Sequence, residues 1–264
     1  MSRLAAAFTG PSAGRLVTYL TAGDPDPGQS RAALTALARG GADVIEVGVP
    51  FSDPVADGPV IQRASERALA HGTTLKTTLD MIEEVRRSVA TPLVLFTYFN
   101  PVLRLGVDRF VGRVADAGVD GVLLLDLPIE ESGPMGEALA RRGVDPIFLV
   151  SPTTTDERLA QAGRLGRGFL YAISRLGVTG VRQSVAATAA PLVRRVREKT
   201  ALPVALGFGL SRPEHIREVT AFADAAVVGS AIVDVVARAA ATPGGDVAGD
   251  VERFVQWLKG LGNE

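Results

Sequence analysis

Short runs of β-branched residues and leucine recur along the chain with helical segments between them. The runs are continuous rather than alternating, as in a parallel sheet covered on both faces. They predict strands near 15–21, 43–49, 93–98, 120–126, 145–150, 168–173, 203–207 and 225–228. Eight strands alternating with helices make a closed (β/α)8 barrel, which commonly occupies about 250 residues as one unit. A doubly wound open sheet is the competing architecture, but it more often carries a glycine-rich dinucleotide turn after its first strand, and none follows here. The expectation is an α/β TIM barrel, residues 1–264 as a single domain, with a short helix before the first strand.

The punctuation between elements agrees with this. The stretches GGADVIEVG (40–48), AGVDGVLLLD (117–126) and RGVDPIFLV (142–150) each place glycine where a helix ends in a left-handed residue and a buried strand begins. Asp26, Pro27 and Gln29 fit an N-cap, a first-turn proline and a returning side chain, and Ser211 with Glu214 fits a capping box. Residues 242–250 read as a surface loop before a last helix at 251–260.

Composition narrows the chemistry. Hydrophobic residues make up 47% of the 264 positions and charged ones 22%, enough apolar material for a large core and enough charge for solubility. A net charge of -1 leaves no broad basic field for nucleic acid or an anionic membrane. The N-terminal stretch lacks the sustained apolar core of a signal peptide, so a cytoplasmic location is expected. Cysteine is absent, and His71 and His215, both in stretches that read as helical, are the only histidines, so no metal site is expected. The only lysines, Lys76, Lys199 and Lys259, fall in or beside predicted helices and not at strand ends, which argues against an imine.

Barrel enzymes build their sites at the carboxyl ends of the strands, so polar residues there carry the most weight. Glu46 sits inside the apolar run Val44 to Val49. A buried carboxylate is costly unless paired or protonated, and burial raises its pKa toward the range of a general acid or base. The other reading is a carboxylate satisfied by structural hydrogen bonds. The next loop, 50–59, holds Asp53 and Asp57 among three prolines and a glycine, although aspartate before proline or glycine is also ordinary turn chemistry. Asp126 ends the fourth run and either joins the site or bonds backbone amides. Gly207, Gly209 and Ser211 after the seventh strand, and Gly229 and Ser230 after the eighth, suit phosphate capture by backbone N–H groups, if they do not merely ease tight turns. Residues 174–184 after the sixth strand suit a closing lid. With an imine disfavoured and histidine ligands lacking, carboxylate acid–base catalysis remains, apart from an oxygen-only magnesium site.

Together these residues resemble one family. Gly23-Asp24-Pro25, the run Glu46-Val47-Gly48-Val49-Pro50-Phe51-Ser52-Asp53-Pro54, Asp57-Gly58-Pro59, Ser174-Arg175 with Gly177-Val178-Thr179-Gly180, Gly207-Phe208-Gly209 and Gly229-Ser230 are similar in order to the tryptophan synthase α chain. The resemblance implies a lyase that cleaves indole-3-glycerol phosphate to indole and glyceraldehyde 3-phosphate. It implies Glu46 as the principal acid–base group and Asp57 as the carboxylate that engages the indole N–H. Tyr171 would line the pocket near Glu46, Tyr98, Leu123 and Phe208 would pack the indole ring, and Thr179 would close the lid. Gly180, Gly209, Gly229 and Ser230 would contact the phosphate, and Asp53 would belong to a partner interface. The family implies an α2β2 assembly whose β chain carries pyridoxal phosphate, with no cofactor in this chain. A mainly regulatory subunit with little activity of its own, or a stand-alone lyase, are the alternatives.

Overall fold

Eight parallel strands close on themselves in sequence order: β1 (Leu16–Thr21), β2 (Val44–Gly48), β3 (Leu93–Thr97), β4 (Gly121–Leu124), β5 (Asp145–Val150), β6 (Leu170–Ile173), β7 (Val204–Gly207) and β8 (Ala225–Val228), with β8 paired to β1. The computed structural model describes residues 2–173, 185–207 and 209–261. Each strand lies within two residues of its expected place. Around the barrel run α1 (Arg3–Ala7), α2 (Pro27–Arg39), α3 (Pro59–Ala70), α4 (Leu75–Arg86), α5 (Phe99–Leu105), α6 (Val107–Asp116), α7 (Gly133–Arg141), α8 (Asp156–Leu165), α9 (Val185–Lys199), α10 (Pro213–Thr220), α11 (Ser230–Ala241) and α12 (Val247–Leu258).

Side chains alternate along each strand, and the two faces bury different cores. On β2, Ile45 and Val47 join Leu20, Leu93 and Leu95 in the layer beneath the helices. Val44 instead points inward with Val17, Val94, Leu123, Ile147, Phe169, Ala205 and Ala225, which fill the barrel centre. Counting two residues on from these inward positions reaches Tyr19, Glu46, Phe96, Leu125, Leu149, Tyr171, Gly207 and Val227, nearer the carboxyl ends of the strands.

Helix α1 closes the other end. Leu4, fully buried, lies so near Gly121 and Gly168 that a Cβ on either would approach its side chain to 3.0 and 2.7 Å. Ser2 caps the helix by accepting the Ala5 N–H and donates to Asp145 at 2.6 Å. Arg15 donates to the carbonyls of Thr9, Gly10, Pro11 and Asp224, which fixes the segment between α1 and β1.

Local signals hold in part. Asp26 caps α2 and Gln29 returns to its carboxylate, and Gly41, Gly118 and Gly143 all have positive φ at the helix-to-strand turns. The Ser211–Glu214 capping box does not form: Pro213 takes the first helical position, so Arg212 becomes the N-cap without a side-chain bond, and Glu214 pairs with Arg217. The last helix begins at 247 rather than 251, because Asp246 caps it through the Gly249 N–H. His71 caps the end of α3 and His215 lies within α10.

Candidate active site

Glu46 takes its place from alternation. On β2 it pairs with Tyr19 of β1 and Val94 of β3, and it faces the barrel axis 1% exposed. Neither carboxylate oxygen has a hydrogen-bond partner among the described residues, so the reading of a structurally satisfied carboxylate fails there. Withdrawal from water disfavours the charged form and pushes its pKa up to about 8. The side chain is therefore a neutral acid over most of the physiological range, with both oxygens free to exchange a proton with a ligand.

Asp57 is placed by its loop. Its N–H donates to the Pro54 carbonyl, Gln62 of α3 donates to its own carbonyl, and the Tyr98 hydroxyl donates to Oδ2 at 3.1 Å. Half-burial pushes its pKa up to about 6, and the Tyr98 hydrogen bond opposes that rise. Two carboxyls near one strand end thus stand in different states at neutral pH, one protonated and one ionised, which is the division acid–base chemistry uses.

Glu46 and Asp57 open into one cavity of about 370 Å³ together with Tyr19, Tyr171, Gly207, Gly209, Gly229 and Ser230. Its apolar wall is Val60 and Ile61 of α3 with Phe96, Leu125, Leu149 and Ile173. Burial, then the nearby Glu46, hold the Tyr171 phenol protonated. Gly209 has φ 68, a conformation that favours glycine, and Gly229 caps α11, so the positive end of a 12-residue helix faces the cavity with Ser230 in its first turn. Tyr19 is wedged against β2: a Cβ on Gly48 would lie 2.1 Å from its hydroxyl, which instead meets Thr21 Oγ1 at 3.3 Å.

Of the residues expected in the site, Glu46, Asp57, Tyr171, Gly209, Gly229 and Ser230 share this cavity, whereas Tyr98 and Leu123 do not line it. Leu123 sits one inward position deeper, in the barrel centre, and Leu125 takes the place facing the cavity. Tyr98 lies behind the loop that carries Asp57. Thr179, Gly180, Phe208 and the proposed lid at 174–184 lie outside the described residues. Asp126 accepts the Phe99 N–H at 2.6 Å, the structural one of its two readings, and Asp53 is exposed and bonded to Ser52. Sequence reasoning missed Tyr19, Phe96 and Leu149, which counting in twos from the inward position of each strand would have found. All three lysines are paired on the outside, Lys76 with Asp80, Lys199 with Asp156 and Lys259 with Asp43. Among the described residues no cluster of three or more His, Asp or Glu side chains is arranged to hold a metal.

The model of the tryptophan synthase alpha chain family matches residues 6–259. The chain belongs to that family. It is 48% identical to the tryptophan synthase alpha chain of Solibacter usitatus over 92% of its own length and 91% of the relative's. The alpha chain of Geobacter sulfurreducens is 46% identical over the full length of both. Among solved structures, one of the tryptophan synthase α2β2 complex of Pyrococcus furiosus superposes with a TM-score of 0.86 at 39% identity, covering 94% of this chain and 98% of that one. A tryptophan synthase structure from M. tuberculosis also gives 0.86, at 36% identity and 98% coverage of both chains. Membership of the alpha chain family makes the protein a carbon–carbon lyase of tryptophan biosynthesis that acts on indole-3-glycerol phosphate.

Proposed function

We propose that Glu46 and Asp57 carry the cleavage, with the two glycine loops holding the phosphate. The observation that supports this most is that Glu46, buried and without a partner among the described residues, faces the same cavity as Asp57 and the N-terminus of α11, with burial favouring its neutral form. In this reading, Glu46 gives its proton to the indole carbon that bears the glycerol side chain. Asp57 accepts the ring N–H and stabilises the positive charge that protonation creates. Glu46, now a carboxylate, takes the proton of the hydroxyl on the adjacent side-chain carbon. The electron pair of that O–H bond becomes the aldehyde C=O, the carbon–carbon bond breaks, and its electrons return to the ring. Indole and glyceraldehyde 3-phosphate leave, and Glu46 regains its starting proton.

The ring serves as its own electron reservoir, so no imine lysine is required. Backbone N–H groups at Gly209 and Gly229, with the Ser230 hydroxyl, anchor the phosphate, and the apolar wall from Phe96 to Ile173 takes the indole. Charge placement of this kind supplies on the order of 10²-fold in rate per group. We infer from the family resemblance that Thr179, Gly180 and Phe208, outside the described residues, also serve the substrate. The chain works as one domain in the cytoplasm, in an α2β2 assembly with a β chain that holds the pyridoxal phosphate. This assembly is supported by the α2β2 complex of the Pyrococcus furiosus relative.

Purified chain mixed with indole-3-glycerol phosphate releases indole, measured with and without a β chain. Glu46→Gln, which keeps shape but cannot cycle a proton, abolishes release in both. Release by that variant at the wild-type rate overturns the assignment, and wild-type release only with the β chain present assigns this chain a mainly regulatory or binding role.

A further inference from the structure

Tyr98 follows β3 and, being 3% exposed, has little contact with solvent or ligand space. Its hydroxyl is used twice: it accepts the Ala56 N–H at 3.0 Å and donates to Asp57 Oδ2 at 3.1 Å. Its ring stacks on Phe51, with centroids 4.9 Å apart and planes 29° apart. One side chain from a strand end therefore holds the loop at its beginning, through Phe51, and at its end, through Ala56 and Asp57. The loop's own bonds are short-range, Val55 N–H to Asp53, Asp57 N–H to Pro54 and the Ser52 hydroxyl to Asp53, and from outside it Gln62 donates to the Asp57 carbonyl without touching its carboxylate.

We infer that Tyr98 is a positioning residue for Asp57, presenting one carboxylate oxygen to the substrate by occupying the other. This goes beyond the proposed function and rests on its reading of Asp57 as the acceptor of the ring N–H. With Oδ2 engaged from behind, Oδ1 is the oxygen left for the cavity. A donor to the ionised form favours that form, so the same bond keeps Asp57 charged to lower pH than burial alone would allow. The Ala56 N–H points the phenol: with its oxygen already accepting, the hydroxyl proton is directed at Asp57. Burial, followed by the nearby aspartate, keeps that phenol protonated across the working range.

Removing the hydroxyl while keeping the ring isolates this role. Tyr98→Phe preserves the stack on Phe51, and kcat is expected to fall about tenfold with KM changed less than threefold. The acidic limb of the kcat/KM profile moves up by about one pH unit, the size expected for losing a hydrogen bond to a charged acceptor. A purely structural role would lower activity without moving that limb. Phe51→Leu keeps the hydroxyl but loosens the ring that carries it, and the limb shifts the same way by less. A limb at the wild-type pH in Tyr98→Phe, or in Phe51→Leu where Tyr98→Phe does not fold, overturns the inference. Asp57→Asn separates the two layers: wild-type activity in that variant refutes the role given to Asp57 itself, whereas its inactivity beside an unmoved limb refutes only the role of Tyr98.

Discussion

At Glu46 the fold holds a carboxyl almost wholly withdrawn from solvent and, among the described residues, gives neither oxygen a partner. That arrangement destabilises the folded chain and has a pH signature. Because burial raises the folded pKa from 4.5 to about 8, the side chain is harmless below the lower value and increasingly costly up to the higher one. Wild type should therefore lose stability relative to Glu46→Gln as pH rises from 4.5 to about 8, by a few kcal/mol, in urea melts run at each pH. Equal pH dependence in the two proteins would contradict the raised pKa. The kcat/KM profile should be bell-shaped: it falls below about 6, where Asp57 takes up a proton, and above about 8, where Glu46 loses the one it must donate. The apolar run around Glu46 made its burial legible, because five hydrophobic or glycine neighbours demand it. Its lack of partners was not legible, since that depends on side chains from β1, β3 and β6 that meet only in three dimensions. Tyr98 shows the opposite limit: an aromatic residue at a strand end reads as a ligand wall, and only the path of the 50–58 loop turns it into that loop's support.

Helix ends show what short-range patterns can and cannot settle. Asp26 with Pro27 was readable because the cap and the proline agree, whereas at 211–214 the same residue types were overridden by Pro213, whose fixed φ starts the helix one residue later. The capping box that does form, Thr74 with Thr77, uses threonine where glutamate or glutamine is usual, which hid it. Thr74→Ala should cost about 1 kcal/mol in a denaturant titration. Helix α3 is also tied to the loop after β1: Arg67 makes a two-pronged bond to the fully buried Asp24, at 2.7 and 3.0 Å. Because α3 brings Val60 and Ile61 to the cavity, Arg67→Ala should both lower stability, by about 2–3 kcal/mol given its partial exposure, and raise KM. A loss of stability at unchanged KM would show that α3 keeps its position without this bond.

Across the whole barrel, the periodic runs were enough to place all eight strands, because a strand buried on both faces leaves a continuous apolar signal that a loop or an exposed helix does not. The site was legible to the extent that it sits on strand ends, and illegible where it depends on which inward position faces the opening, as with Leu123 against Leu125. The ends of the barrel divide the labour. Leu4→Ala at the closed end should cost about 2–5 kcal/mol by leaving a void, with kcat unchanged, as measured by thermal melting beside an indole-release assay. At the open end, the contact between Tyr19 and Gly48 constrains how this sequence can drift. The ring itself, not only its hydroxyl, would overlap any side chain at 48, with the nearest ring carbons 2.5 and 2.7 Å from a new Cβ. Phenylalanine at 19 would leave those ring carbons in place, so a larger residue at 48 requires the ring at 19 to move or to be replaced by a smaller side chain.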